Sequence, residues 1–335
     1  MSDKPVVWVG TPFILNFDDP MEMFQPLVEE GLEVRLDECR GHMPEEDVIA
    51  ALPGVTAVIG GAEPYTAKVM DGAPGVKIIV RAGVGVNNVD IPAATERGIL
   101  VANSAGQNSQ SVAEHLFGML LCAVRRIGWL DANIRKGLWR EIQPPMRPLN
   151  GMTMGILGFG NIGKQVAKRA VAFDMKVIAH DVVRDEETAA ALGVRFVGLE
   201  ELARESDYLT CHVPLTPETT HIIGREILSL MKPDAYVFNT SRGPVFDLDA
   251  VAEALQNGVI RGAGIDVFPE EPPDYAHPIF TLENAVLAPH LGGRGEDAIR
   301  NTLRHTTECV LAYFRGERPS TLVNPEVYEV LARGR

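Results

Sequence analysis

The chain has few cysteines, few aromatic residues and a deficit of positive charge, and these scarcities remove whole classes of function. Its four cysteines (Cys39, Cys122, Cys211 and Cys309) lie far apart and form no Cys-x-x-Cys pair. That spacing argues against a zinc ribbon, a thioredoxin-type couple or a disulfide framework, and it fits a reducing compartment. No metal site is expected. Thirty-one basic residues against forty-five acidic ones leave a formal charge of −14. A surface of that sign repels phosphate backbones and anionic lipid, so neither nucleic acid nor a membrane is expected as a partner. A small anionic substrate would need a locally positive pocket. The longest apolar runs fall short of a membrane span. The polar start, Met1-Ser-Asp-Lys-Pro5, does not read as a secretory signal, and a cytoplasmic location is expected.

What remains is globular composition: 46% hydrophobic and 23% charged over 335 residues, a length that suggests about two domains. Short β-rich runs at Val6–Val9, Leu32–Leu36, Ala57–Ile59, Lys77–Arg81 and Leu100–Ala102 alternate with helical patterns at Met21–Glu30, Pro44–Ala51, Thr66–Met70 and Ile91–Arg97. A second series of runs occupies Thr153–Leu157, Lys176–Ala179, Tyr208–Cys211, Ala235–Asn239, Ala263–Val267 and Ala285–Ala288. Helical patterns separate these too, and Glu296–Phe314 follows them. Strands spaced by helices in this way predict βαβ units, hence two α/β domains with doubly wound parallel sheets. Between the two series, Ser111-Val-Ala-Glu114 reads as a capping box. It opens a helix that is apolar nearly all round, as expected of a buried connector between domains.

Gly158-Phe-Gly160-Asn161-Ile162-Gly163 follows the apolar run Met154–Leu157 and opens a helical pattern. The first glycine allows a tight turn, the second allows a pyrophosphate to approach, and the third allows close helix–strand packing. Eighteen residues beyond Gly163, Asp181 ends the next strand, where a carboxylate can accept both ribose hydroxyls of NAD and repel the 2′-phosphate of NADP. The plain alternative for Asp181 is a helix cap in a loop; Arg184 lies close enough to serve a 2′-phosphate in principle but reads as a solvated side chain.

Three charged residues follow predicted strands on the edge where open parallel sheets bind ligands: Arg242, Glu271 and His290. An arginine fork can grip a carboxylate in bidentate fashion, and a histidine beside a carboxylate can carry the proton it donates. Each has a plain alternative. Arg242 alone reads as a surface ion pair. His290 alone reads as a loop residue, one of eight histidines that include His115. Sharing one edge with the glycine turn makes them equipment for reducing a ketone that adjoins a carboxylate.

The glycine turn, Asn239-Thr-Ser-Arg242-Gly, Gly264-Ile-Asp-Val-Phe-Pro-Glu-Glu271-Pro and Ala288-Pro-His290-Leu-Gly-Gly293 together resemble the D-isomer-specific 2-hydroxyacid dehydrogenases, as do Arg81-Ala-Gly-Val-Gly-Val-Asn-Asn-Val-Asp90 and Asn103–Leu120. The resemblance runs along nearly the whole chain. It implies a discontinuous, flavodoxin-like substrate domain (residues 1–103 with 294–335) and a Rossmann NAD-binding domain (104–293). Arg242 would bind the substrate carboxylate and keto oxygen, His290 would be the general acid–base, and Glu271 would orient it. Val84 and Gly85 would hold the carboxylate through backbone amides, with Asn108 near the pocket, although Asn108 also reads as a helix cap. Asp266 would contact the nicotinamide carboxamide and His212-Val213-Pro214 would flank the adenine, with Thr240 and Gly292 completing the cofactor set. The family also implies homodimers, with Trp139 either in the partner's pocket or simply packed at the interface.

Substrate choice is less legible. Phosphoglycerate dehydrogenases of the family usually carry an Arg-Ser pair where this chain reads Ile59-Gly-Gly-Ala-Glu63-Pro-Tyr-Thr66. Glu63 beside a phosphate would be repulsive, and the chain stops soon after Asn324-Pro325. Glu271 argues against the formate dehydrogenases, which have glutamine there. NADH-dependent reduction of a small 2-keto acid, glyoxylate or hydroxypyruvate, is the expectation. D-3-phosphoglycerate oxidation is the alternative, and a non-enzymatic NAD-sensing corepressor is a minor third.

Overall fold

A computed structural model describes residues 4–37, 43–140 and 143–333, so Cys39 lies outside the described residues. The chain divides into two compact units, residues 1–108 with 295–335, and residues 109–294.

In the first unit, β1 (Val6–Gly10), β2 (Glu33–Leu36), β3 (Val55–Gly60), β4 (Ile78–Arg81) and β5 (Leu100–Ala102) form one parallel sheet in the order β2-β1-β3-β4-β5. That is the flavodoxin-like doubly wound order. Every residue of β1 is buried, as required of a strand covered on both faces. On one face Val7, Val9, Ile59, Ile78 and Val80 pack with Ile299, Leu303 and Val310 from the helix Glu296–Phe314. On the other face Trp8, Val58, Ile79 and Val101 pack with Val48 and Val69. The helix expected over Met21–Glu30 is split into a 3-10 turn, Pro20–Phe24, and an α-helix, Gln25–Glu29. Pro26 has no N–H to donate back, so the helix has to restart there.

In the second unit, β6 (Thr153–Leu157), β7 (Lys176–His180), β8 (Arg195–Phe196), β9 (Tyr208–Cys211), β10 (Tyr236–Asn239), β11 (Gly262–Ile265) and β12 (Ala285–Leu287) form a parallel sheet in the order β12-β11-β10-β9-β6-β7-β8. The strand order reverses between β6 and β9, and ligands of open α/β sheets bind beyond the carboxyl ends of the strands at such a switch point. The two-residue β8 was too short to show any periodicity in the sequence.

The helix expected as a connector, Ser109–Arg125, belongs to the core of the second unit. Its Leu116, Phe117, Leu120 and Val124 pack with Met154, Ile156, Val166 and Phe238. Ser111-Val-Ala-Glu114 is not a capping box, because the helix begins two residues earlier, at Ser109. Ser111 Oγ instead donates to the Gly292 carbonyl, and Glu114 accepts from Gln110 and Arg169. No helix among the described residues is long and apolar enough to cross a membrane. None of their His, Cys, Asp and Glu side chains form a group of three or more that could hold a metal ion.

Candidate active site

The carboxyl ends of β6, β7, β9, β10, β11 and β12 carry the chemistry of the second unit. After β6, Gly158 adopts φ +97°, and a Cβ there would stand 2.8 Å from the His212 carbonyl carbon. A Cβ on Gly163 would stand 2.2 Å from the Gly158 oxygen. Both glycines are therefore sterically required where the turn passes β9 and folds back on itself. Gly160 has no neighbour within 4 Å of its missing Cβ, and it starts the helix Asn161–Ala172, whose first turn has no side-chain cap and no acidic residue. Amides at Asn161, Ile162 and Gly163 that no side chain caps, next to the open space at Gly160, make an anion-binding terminus.

Asp181 caps no helix; Asp185 caps the helix Glu186–Leu192. Asp181 Oδ2 accepts the Phe159 amide at 2.6 Å and Oδ1 accepts the Val183 amide at 2.9 Å, tying the end of β7 to the glycine turn. Each carboxylate oxygen keeps a further lone pair for a hydroxyl. Arg184 lies over the Phe196 ring at 5.5 Å. At the ends of the adjacent strands β9 and β10, His212 Nδ1 and Thr240 Oγ1 are buried without a hydrogen-bond partner. Burial pushes the His212 imidazole down to about 3, so it is neutral at physiological pH. Its Nε2 lies 3.0 Å from Thr210 Oγ1. Val213 and Pro214 follow, and the backbone of Val213 closes on Gly158. Unpaired buried polar atoms cost free energy unless a ligand engages them. With the glycine cradle, they fit a dinucleotide.

Arg242, Glu271 and His290 follow β10, β11 and β12 on the same edge. A Cβ on Gly243 would stand 2.0 Å from the Phe268 carbonyl, so glycine is what lets the Arg242 turn press against the Glu271 loop. Arg242 is half-buried, and its Nη1 donates to the Ser241 carbonyl at 2.6 Å. Burial lowers the guanidinium's affinity for its proton, and the Glu271 charge opposes this. His290 Nδ1 lies 2.7 Å from Glu271 Oε2, and the Phe268 amide donates to Oε1 at 3.2 Å. Burial alone would raise the Glu271 carboxyl, but the hydrogen bond and charge of His290, with the Phe268 amide, hold it below its ordinary value. An ionised Glu271 can only accept, so His290 Nδ1 is the donor of this pair. His290 itself is left-handed, at φ +56°.

The second unit of the chain decides the family. Residues 117–292 match the model of the D-isomer specific 2-hydroxyacid dehydrogenase, NAD binding domain. A glyoxylate reductase of Korarchaeum cryptofilum is 39% identical over 312 residues, 92% of this chain and 94% of the relative. The chain belongs to the D-isomer-specific 2-hydroxyacid dehydrogenases. A D-3-phosphoglycerate dehydrogenase of Methanocaldococcus jannaschii is 39% identical across 89% of this chain and 58% of its own length. The crystal structure of the TT0316 protein from Thermus thermophilus superposes with a TM-score of 0.85 at 37% identity, covering 95% of this chain and 99% of that one. The protein is thus an oxidoreductase that uses a nicotinamide cofactor and has the two-domain fold of its family.

In this dehydrogenase Val84 and Gly85 lie in the loop after β4, where Asn103 Nδ2 donates to the Val84 carbonyl at 2.8 Å. Asn88 secures that loop by donating to the Gly61 and Glu63 carbonyls at 3.2 and 2.6 Å and accepting from Arg81 Nε at 3.2 Å. Asn108 does not cap the helix that follows it, for its Oδ1 is buried and accepts nothing.

Glu63 requires a correction. It is fully buried, with Tyr65 Oη 3.3 Å from its Oε2, so the expectation that it would repel a substrate phosphate has no exposed charge to rest on. Burial holds its carboxyl above the ordinary value despite the amides of Glu63 and Gly61 and the charge of Arg81. A raised folded pKa means the native state binds more protons than the unfolded one, so stability falls as pH rises from the unfolded value through the folded one. Glu63→Gln removes that loss. We expect it to raise Tm at pH 7.5 by on the order of a few degrees and to change it less at pH 4. Thermal scans at the two pH values check this; an equal shift at both would refute it.

The sequence pointed to neither His115 nor Ser111 as parts of the site. His115 Nε2 lies 3.2 Å from Asp266 Oδ1, whose carboxylate also accepts the Leu291 and Gly292 amides at 3.0 and 2.9 Å. Burial would raise the Asp266 carboxyl, yet His115 and those two amides outweigh it and hold it low. The one signal in the sequence was the i, i+4 spacing of Ser111 and His115 on one helix face, hidden in a segment otherwise dominated by its apolar pattern.

Proposed function

We propose that the protein reduces a small 2-keto acid to the D-2-hydroxy acid with NADH, glyoxylate and hydroxypyruvate being the lead substrates. The observation that carries the reading is the Glu271–His290 pair at 2.7 Å, on the same sheet edge as Arg242 and the glycine turn. The reduced nicotinamide supplies a hydride to the keto carbon. The chain's residues do the rest. Arg242 binds the carboxylate and polarises the keto oxygen. His290 Nε2 delivers the proton to that oxygen, and Glu271 holds the ring in place. Val84 and Gly85 keep their assignment to the substrate carboxylate and Asn108 its place near the pocket. The first-turn amides hold the pyrophosphate, Asp181 the ribose, and Asp266 the carboxamide. Thr240, Gly292 and His212-Val213-Pro214 complete the cofactor contacts. The K. cryptofilum glyoxylate reductase supports the substrate class.

NADH oxidation against glyoxylate, hydroxypyruvate, phosphohydroxypyruvate, pyruvate and a bulky aromatic keto acid tests the reading. A clear preference for either of the first two is expected. A strong preference for phosphohydroxypyruvate would select phosphoglycerate oxidation instead. Asp181 makes NAD the expected cofactor. Asp181→Gly should raise the NADPH-to-NADH ratio of kcat/KM by about tenfold or more, because it removes a charge that opposes the 2′-phosphate. An unchanged ratio would take the ribose role from Asp181.

We also infer a homodimer. Ile127, Ile134 and Trp139 are 53%, 45% and 71% exposed along a groove of about 430 Å³ that Leu130 and Leu138 also line. A second copy would bury this apolar row. A monomer mass by light scattering would remove the inference.

A further inference from the structure

The loop that carries His290 is braced from the helix Ser109–Arg125. Ser111 and His115 lie four residues apart, on one side of the helix Ser109–Arg125. Ser111 Oγ donates to the Gly292 carbonyl at 2.8 Å, and His115 Nε2 lies 3.2 Å from Asp266 Oδ1. Asp266 then grips the loop at three successive residues. Its carbonyl accepts the His290 amide at 2.7 Å, and its two carboxylate oxygens accept the Leu291 and Gly292 amides. Gly292 sits where the parts converge; a Cβ there would stand 3.0 Å from Asp266 Oδ2 and 3.5 Å from the His115 ring.

The loop needs this support. A left-handed conformation is sterically unfavourable for a residue that bears a side chain, and His290 adopts one. Such strain persists only where the surroundings over-determine it. An unbraced loop relaxes, and a small relaxation carries Nδ1 beyond hydrogen-bond reach of Glu271.

We propose that His115, assisted by Ser111, is a positioning residue for His290: it holds Asp266, and through Asp266 it holds the strained loop that aims the imidazole. The proposal rests on the reading of His290 as the general acid–base. His115 Nε2 makes no aligned hydrogen bond, but at 3.2 Å it is the side chain set against a buried carboxylate that would otherwise face the loop amides alone. Truncation removes that partner, and a side-chain amide of similar reach replaces it.

The full-length protein is assayed by NADH oxidation with glyoxylate and with hydroxypyruvate. His115→Ala is expected to lower kcat by about 10- to 100-fold, the effect of a misplacement of about 1 Å at the reacting group. KM for the keto acid, set by Arg242, stays near the wild-type value. His115→Gln recovers most of the lost turnover. Ser111→Ala lowers kcat by about three- to tenfold, in line with the removal of one neutral hydrogen bond. If His115→Ala fails to fold, as judged by thermal unfolding, the Gln and Ser111 variants carry the test. Wild-type kcat in His115→Ala overturns the proposal. So does a loss that glutamine leaves unrelieved, or one that falls on KM. If the wild-type protein reduces no keto acid, or His290→Asn retains full turnover, the assignment of His290 fails instead.

Discussion

Replacing His290 with asparagine is expected to lower kcat for keto-acid reduction by about two to four orders of magnitude, the usual weight of a general acid. Asparagine offers an amide that neither titrates nor delivers a proton. NADH binding, which the proposed function assigns to the glycine turn and Asp181, should survive. The measurement is single-turnover NADH oxidation beside a direct titration of NADH binding. Undiminished turnover would refute the assignment; lost cofactor binding would mean the loop had collapsed. Glu271 and His290 are each only partly covered, with side-chain exposures of 39% and 47%. Their pairing in solvent therefore contributes little to stability, and its value lies in orientation.

Arg242→Ala should raise KM for the keto acid by roughly 30-fold or more, because removing a charge-assisted bidentate grip from half-buried surroundings costs about 2 kcal/mol or more. The guanidinium stays cationic despite its burial, since arginine cannot be deprotonated in a protein. Arg242→Lys should recover little of the loss, a point charge being unable to reproduce the planar fork. Steady-state kinetics with glyoxylate and hydroxypyruvate separate KM from kcat. An unaltered KM in Arg242→Ala would sink the clamp.

Much of this was legible before any coordinates. Runs such as Thr153–Leu157 and Tyr208–Cys211 coincide with β6 and β9 because strands buried on both faces must be continuously apolar. Long helices with a sustained apolar period, such as Glu296–Phe314, are also legible in the sequence. Met21–Glu30 shows where such reading fails: its composition suits a helix, but one imino acid at Pro26 interrupts the ladder. Ser111-x-x-Glu114 failed for a different reason. The motif is local, but its hydroxyl found a better partner in Gly292, 181 residues away in sequence.

The sequence alone determined the chemistry at each strand end: a glycine turn, a carboxylate after β7, and an arginine, a glutamate and a histidine after β10, β11 and β12. It could do so because the backbone freedom of glycine and the charge of a side chain belong to the residue wherever it sits. Tertiary structure decided what depends on distant neighbours. It buried Glu63 and took its charge out of the question of substrate, set Ser111 and His115 behind Asp266, and held His290 left-handed against Glu271. Burial and strain are properties of surroundings, and those surroundings are assembled from segments that the sequence keeps far apart.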